Sequence, residues 1–94
     1  MSEQFVLVVY DISNDRRRTK LHNLLLDFGS PVQYSVFECV LDDKRLELMR
    51  RSVKKITRPK KDNVRYYYLC AACTQKIESL SGEGLSQPVK AIVV

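Results

Sequence analysis

The run Phe5-Val6-Leu7-Val8-Val9-Tyr10 constrains this chain more than any other segment. Six successive β-branched, aliphatic or aromatic residues do not alternate as a half-solvated strand would. They fit a strand in the middle of a sheet, covered on both faces. The run stops at Asp11-Ile12-Ser13-Asn14-Asp15, where Ser13, Asn14 and Asp15 carry side chains suited to cap the first free amides of a helix. Leu21, Leu24, Leu25 and Phe28 then recur at i, i+3, i+4 and i+7, the stripe of an amphipathic helix. Gly29 is the expected C-terminal stop of that helix, with Pro31 just beyond.

Val32 to Leu41 reads as extended, bent or split near Gln33–Ser35, with Tyr34 and Val36 on one face and Phe37, Cys39 and Leu41 on the other. Asp42 or Asp43 caps a second helix, whose Leu46, Met49, Val53 and Ile56 face inward. Its other face carries Lys44, Arg45, Arg50, Arg51, Lys54 and Lys55, and the basic loop Arg58-Pro59-Lys60-Lys61-Asp62 ends it. A third strand is expected over Val64–Cys70, a short one over Lys76–Leu80, a loop at Ser81–Gly84 and a terminal strand over Val89–Val94. The order strand, helix, strand, helix, strand, strand in one domain of residues 1–94 predicts an α+β, ferredoxin-like fold. Two helices would pack on one face of a mainly antiparallel sheet. The terminal strand is uncharged apart from Lys90 and would present a bare apolar edge. Pairing with a second subunit would cover it, so a homodimer is expected.

Ninety-four residues, 45% hydrophobic, leave room for one modest core. The distribution of charge is more informative than its net value of +5. Residues 1–15 hold three acids and no base, residues 16–61 hold thirteen bases and five acids, and residues 62–94 hold three of each. A basic middle on a small domain fits a phosphate-backbone binder, with a merely solvated helix face as the alternative. No apolar stretch approaches the roughly 18–20 residues of a membrane helix, so no membrane partner is expected. Met1-Ser2-Glu3-Gln4 lacks the positive start of a signal peptide, and a cytoplasmic location is expected. Three cysteines, Cys39, Cys70 and Cys73, do not make a secreted disulfide framework. Cys70-Ala71-Ala72-Cys73 is a lone CxxC, read as small buried residues at a strand end, with metal or redox work as the minor alternative.

The single histidine, His22, excludes a Ser/His/Asp set, and three scattered glycines form no phosphate loop. Asp11 remains. It follows the central apolar strand, where side chains emerge at the rim of a sheet, and Arg16, Arg17, Arg18 and Lys20 follow near a helix start that favours anions. Mg²⁺ commonly takes one or two carboxylates plus waters and substrate phosphate, so this rim could hold a phosphodiester and activate water upon it. The bland alternative is that Asp11 helps cap the helix. One carboxylate is a thin metal site, and a symmetric dimer placing two Asp11 side chains across its axis would double it.

Tyr10-Asp11-Ile12 after an apolar first strand, then Arg17-Arg18-Thr19-Lys20-Leu21, then Gln33-Tyr34-Ser35-Val36-Phe37-Glu38 resembles the CRISPR-associated Cas-two family. The likeness extends through Leu69-Cys70-Ala71-Ala72-Cys73 to the terminal Val94 strand. It implies a ferredoxin-like homodimer with exchanged terminal strands, working with the Cas-one integrase in spacer acquisition. It further implies a Mg²⁺-dependent nuclease acting on single-stranded RNA or duplex DNA, or a DNA-holding bridge whose own catalysis is dispensable. Residue by residue, the family's metal-binding aspartate falls on Asp11 and its helix-start arginine on Arg18, with Arg17 one residue away as the alternative. Ser35 and Phe37 would serve the dimer or the active-site wall.

Two functions of different class follow. In the first, Asp11 from each subunit holds Mg²⁺ while Arg18, with Arg16 or Arg17, clamps the phosphate. In the second, Arg50, Arg51, Lys54, Lys55, Arg58, Lys60 and Lys61 neutralise phosphates along a duplex and read no bases.

Overall fold

A computed structural model describes residues 3–78. The elements run β1 (Gln4–Asp11), α1 (Asp15–Leu25), β2 (Gly29–Gln33), β3 (Val36–Leu41), α2 (Asp43–Ile56), β4 (Asn63–Leu69) and the single-turn α3 (Ala71–Thr74). The four strands form one sheet in the order β2-β3-β1-β4, and every pairing is antiparallel. This is the ferredoxin-like arrangement, with the apolar run of β1 in the interior as its composition requires.

Registers fix which side chains share a face. Val6 lies opposite Cys39 and Tyr68, Val8 opposite Phe37 and Tyr66, and Tyr10 opposite Val64. That face and the apolar stripes of the two long helices make the core of Val6, Val8, Tyr10, Leu21, Leu25, Phe37, Cys39, Leu46, Met49 and Val53. Phe37 sits at its centre, 6.4 Å between ring centroids from Tyr10 and edge-on to His22 at 5.2 Å. Each long helix starts as its sequence dictates. The Asn14 carboxamide accepts from the Arg17 amide at 2.9 Å, and the Asp42 carboxylate accepts from the Arg45 amide at 2.8 Å.

Phe5, Leu7, Val9 and Asp11 point to the opposite face, with Val36, Glu38 and Val40 on one side and Asn63, Arg65, Tyr67 and Leu69 on the other. Leu7, Val9, Val36 and Val40 on this face are half-buried, and α3 packs against β4. Among the described residues, the expected cover of β1 is complete on the helical face and partial on this one, where Phe5 is buried but Leu7 and Val9 are half-buried.

The hairpin of β2 and β3 corrects the sequence reading of Gly29. The helix ends earlier, at Leu25 with Leu26 as its C-cap, and Gly29 opens β2 opposite Cys39. A Cβ at Gly29 would stand 2.4 Å from the Glu38 carbonyl oxygen and 2.5 Å from Cys39 Sγ, so the close approach of the two strands requires glycine here. Pro31 lies in β2 at the sheet edge, beside an irregularity in pairing between Pro31 and Gln33, where a missing amide donor is tolerated. The split near Gln33–Ser35 is a tight turn, in which Ser35 adopts φ 66°. Arg45 leaves the basic face of α2: its guanidinium lies 4.9 Å over the Phe28 ring and donates to the Asp27 carbonyl at 2.7 Å.

The expected strand over Lys76–Leu80 is not formed at residues 76–78, because the chain turns into α3 at Ala71 and stays irregular after it. Ser79, Leu80, the Ser81–Gly84 loop and the Val89–Val94 strand lie outside the described residues. Replacing Gly29 with alanine is expected to cost roughly 1–3 kcal/mol in urea unfolding, since the clash is with backbone and a buried sulfur.

Candidate functional site

Asp11 is the last residue of β1 and is exposed on the face opposite the long helices. Its cross-strand partner is Asn63, the first residue of β4, also exposed. Directly opposed residues on one face hold their Cβ atoms about 5 Å apart, so a carboxylate and an amide oxygen share this rim. The preceding residue is anchored from the other side, as the Tyr10 amide donates to the Ser35 carbonyl at 3.1 Å. The left-handed Ser35 turn therefore fixes the end of β1 on which Asp11 stands.

The expected cations separate into committed and uncommitted groups. Arg17 makes a two-point pair with Asp62, with Nε and Nη2 donating at 2.8 and 3.0 Å, and the Arg58 amide donates to the same carboxylate at 2.9 Å. The Asp62 side chain has no exposed surface left, although it lies at the periphery under these donors rather than deep in the core. Hydrogen bonding from Arg17 holds its carboxyl below the ordinary value of about 3.8. Arg18 donates to the Ile12 carbonyl at 2.8 Å and pairs with Asp15, which clasps the loop immediately after Asp11. Thus Arg18 is bound to the Asp11 loop, whereas Arg17 ties α1 to the turn before β4.

Arg16 and Lys20 are exposed and have no ion-pair partner among the described residues. With Asn14, Lys55, Thr57 and Arg58 they line an open groove of about 600 Å³ between the start of α1 and the end of α2. Arg50, Arg51 and Lys54 flank a shallower depression beside Tyr66, where Arg51 also approaches Glu47 at 3.7 Å. Lys60 and Lys61 project with Arg58 and Pro59 from the turn before β4. The cations expected to contact nucleic acid form a band along the helical side, while Asp11 faces the other way.

Two expected residues stand elsewhere. Phe37 cannot form a dimer or active-site wall, because it is fully buried under the long helices on the inward-facing register of β3. Ser35 does line a cavity of about 200 Å³ with Tyr10, Arg18, His22 and Tyr34. Cys70 and Cys73 are exposed rather than buried, because β4 ends at Leu69 and the next residues turn outward as α3. Asn63 and Asp62 escaped the sequence reading: their roles depend on strand register and on a contact spanning 45 residues, and neither leaves a local pattern. Among the described residues no three His, Cys, Asp or Glu side chains gather as a metal site within one chain. Asp11 and Asn63 still offer two hard oxygens on an open rim, a donor set that fits Mg²⁺, which keeps most of its waters.

The structure defines a small ferredoxin-like α+β domain with a basic helical side and an exposed carboxylate at the opposite rim. The profile described as CRISPR associated protein Cas2 matches residues 4–77, and the chain belongs to that family. It is 33% identical over 88 residues to CRISPR-associated endoribonuclease Cas2 3 of Synechocystis, covering 94% of this chain and 96% of the relative. It is 45% identical over 67 residues to CRISPR-associated endonuclease Cas2 2 of Thermus thermophilus, covering 71% and 74%. Streptococcus pyogenes Cas2 superposes with a TM-score of 0.72 at 30% identity, over 81% of this chain and 98% of that one. A chain of a partial Cas6-RT-Cas1–Cas2 complex superposes with a TM-score of 0.77 at 27% identity, over 97% and 99%. The fold and the CRISPR-associated role are thereby established. No described helix is long and apolar enough to cross a membrane.

Asp62 contributes stability through its charged form, since its folded pKa is depressed. The stability difference between wild type and Asp62→Asn, followed by urea unfolding, should be fully present well above about pH 3.8. It should disappear as the pH falls through the lowered pKa of Asp62.

Proposed function

We propose that this protein is a metal-dependent endonuclease of the CRISPR adaptation machinery, acting as a homodimer on single-stranded RNA or duplex DNA. The observation that carries this reading is the exposed Asp11–Asn63 pair at the rim of the sheet face opposite the two long helices. Around that rim, the half-buried Leu7, Val9, Val36 and Val40 offer an apolar surface on which a second subunit could pack its own sheet. A two-fold axis there would bring a second Asp11 to the first. Mg²⁺ held by these oxygens would acidify a bound water and offset charge on the scissile phosphate.

The chain's own residues orient the substrate. Arg18 keeps the loop after Asp11 in place through the Ile12 carbonyl, and release of Asp15 would free its guanidinium for a phosphate oxygen. Arg16 and Lys20 need no such release. The names of the relatives, endoribonuclease and endonuclease, support the reaction class. The Cas1–Cas2 assembly among the structural neighbours supports a Cas1 partner and a role in spacer acquisition. Such a role would be carried out in the cytoplasm.

A second reading is favoured by one observation. The α2 cations lie on the helical side, away from Asp11, so duplex could be held without entering the carboxylate rim. Here the protein is a homodimeric scaffold that presents DNA to the integrase, and Arg50, Arg51, Lys54, Lys55, Arg58, Lys60 and Lys61 carry the phosphate contacts.

Labelled single-stranded RNA and duplex DNA, incubated with wild type or Asp11→Ala in Mg²⁺ or EDTA, separate the readings. The nuclease reading expects cleavage lost in EDTA and reduced about 100-fold or more by Asp11→Ala. Equal cleavage by both proteins, or none by either, would overturn it. For the scaffold surface, Arg50→Glu with Lys54→Glu is expected to weaken duplex binding and lower the slope of log affinity against log salt by roughly two or more. Asp11→Ala should leave that slope unchanged.

A further inference from the structure

The CxxC segment takes no part in the function proposed above. Cys70 immediately precedes α3 and Cys73 lies within it, three residues on, so both project from the same side of one helical turn. Both are exposed, and the Cys70 thiol donates to Cys73 Sγ at 3.4 Å. Cys39 is the internal contrast, buried beneath the helices with its thiol pushed up to about 12 by burial.

Three features of the turn favour reaction between the exposed pair. The Thr74 amide donates to the Cys70 carbonyl at 3.0 Å and the Thr74 hydroxyl to the Ala71 carbonyl at 2.8 Å, which hold the two cysteines one turn apart. The Cys70 sulfur already faces Cys73 Sγ, so closure needs no opening of the turn. Amide hydrogen bonds from Cys73 and Ala72, together with the Cys73 thiol, lower the Cys70 pKa and raise its share of thiolate, the nucleophilic form. Neither histidine nor carboxylate joins the pair, since no group of three metal-binding side chains occurs among the described residues. The chemistry available to an isolated dithiol is exchange with another disulfide.

We propose that Cys70 and Cys73 form a redox-active dithiol, oxidised to an intramolecular disulfide by low-molecular-weight disulfides of the glutathione type. The Cys70 thiolate attacks one sulfur of the oxidant, whose S–S bond breaks, and the departing thiolate takes up a proton. The mixed disulfide on Cys70 is then attacked by Cys73, which gives up its proton to water, and the second low-molecular-weight thiol leaves. Two protein thiols lose two electrons and two protons, and the oxidant gains both. Closure fixes the junction between the last residue of β4 and α3, and Cys39 stays reduced.

The test treats reduced full-length protein with glutathione disulfide under native conditions, then blocks free thiols and measures intact and peptide masses. The expected product has lost two of its three free thiols, is lighter by two hydrogens, and carries a link between residues 70 and 73. Cys73→Ser should trap glutathione on Cys70, and Cys70→Ser should react at Cys73 roughly tenfold more slowly or less. Circular dichroism of both variants confirms that they are folded. Failure of wild type to react, accumulation of its mixed disulfide without closure, or bridges between chains would each overturn the proposal.

Discussion

The interior position of β1 governs the rest of the molecule. A strand as apolar as Phe5–Tyr10 must have neighbours on both sides, and β3 and β4 supply them through antiparallel ladders of six and seven registered pairs. Those ladders send Val6, Val8 and Tyr10 into the core and deliver Asp11 to the other face at the point where pairing stops. The same register brings Asn63 to its side. A shift of one residue would turn Asp11 inward among the helices, where an uncompensated carboxylate is strongly disfavoured, so the position of the rim and the integrity of the core are one constraint.

Electrostatics divide the surface along the sheet. Several arginines that look available for phosphate in the sequence are occupied by the fold: Arg17 by Asp62, Arg18 by Ile12 and Asp15, and Arg45 by Asp27 and Phe28. The cations left over line the groove between α1 and α2 and the outer side of α2. A polyanion would therefore be attracted first to the helical side, whereas on the opposite face Arg65 is the cation that shares the strand register with the carboxylate rim. This separation is what allows one small domain to be read both as a holder of duplex and as a nuclease.

Much of this was legible in the chain. The helical stripes through Leu21 and Leu25 and through Leu46, Met49 and Val53, the caps at Asn14 and Asp42, and the strands at Phe5 and Val36 follow from local periodicity and side-chain chemistry. So did the prominence of Asp11, because a charged residue ending an apolar run needs no tertiary information to stand out. Gly29 was misread, since a glycine after a helix resembles a cap and its real constraint is a strand that arrives nine or ten residues later. Phe37 was misplaced for a related reason: motif membership does not reveal which face of β3 a residue occupies. Asp62 and Asn63 could not be found locally, because their partners lie about fifty residues upstream.

The central claim is that Asp11, doubled across a two-fold axis, is the metal-binding group of this protein. Titration with Mn²⁺ as a paramagnetic substitute for Mg²⁺, read by electron paramagnetic resonance, addresses it without relying on cleavage. The account predicts about one bound ion per two chains in wild type and loss of that binding in a folded Asp11→Asn variant. Equal binding by both proteins, or no binding by wild type, would contradict it.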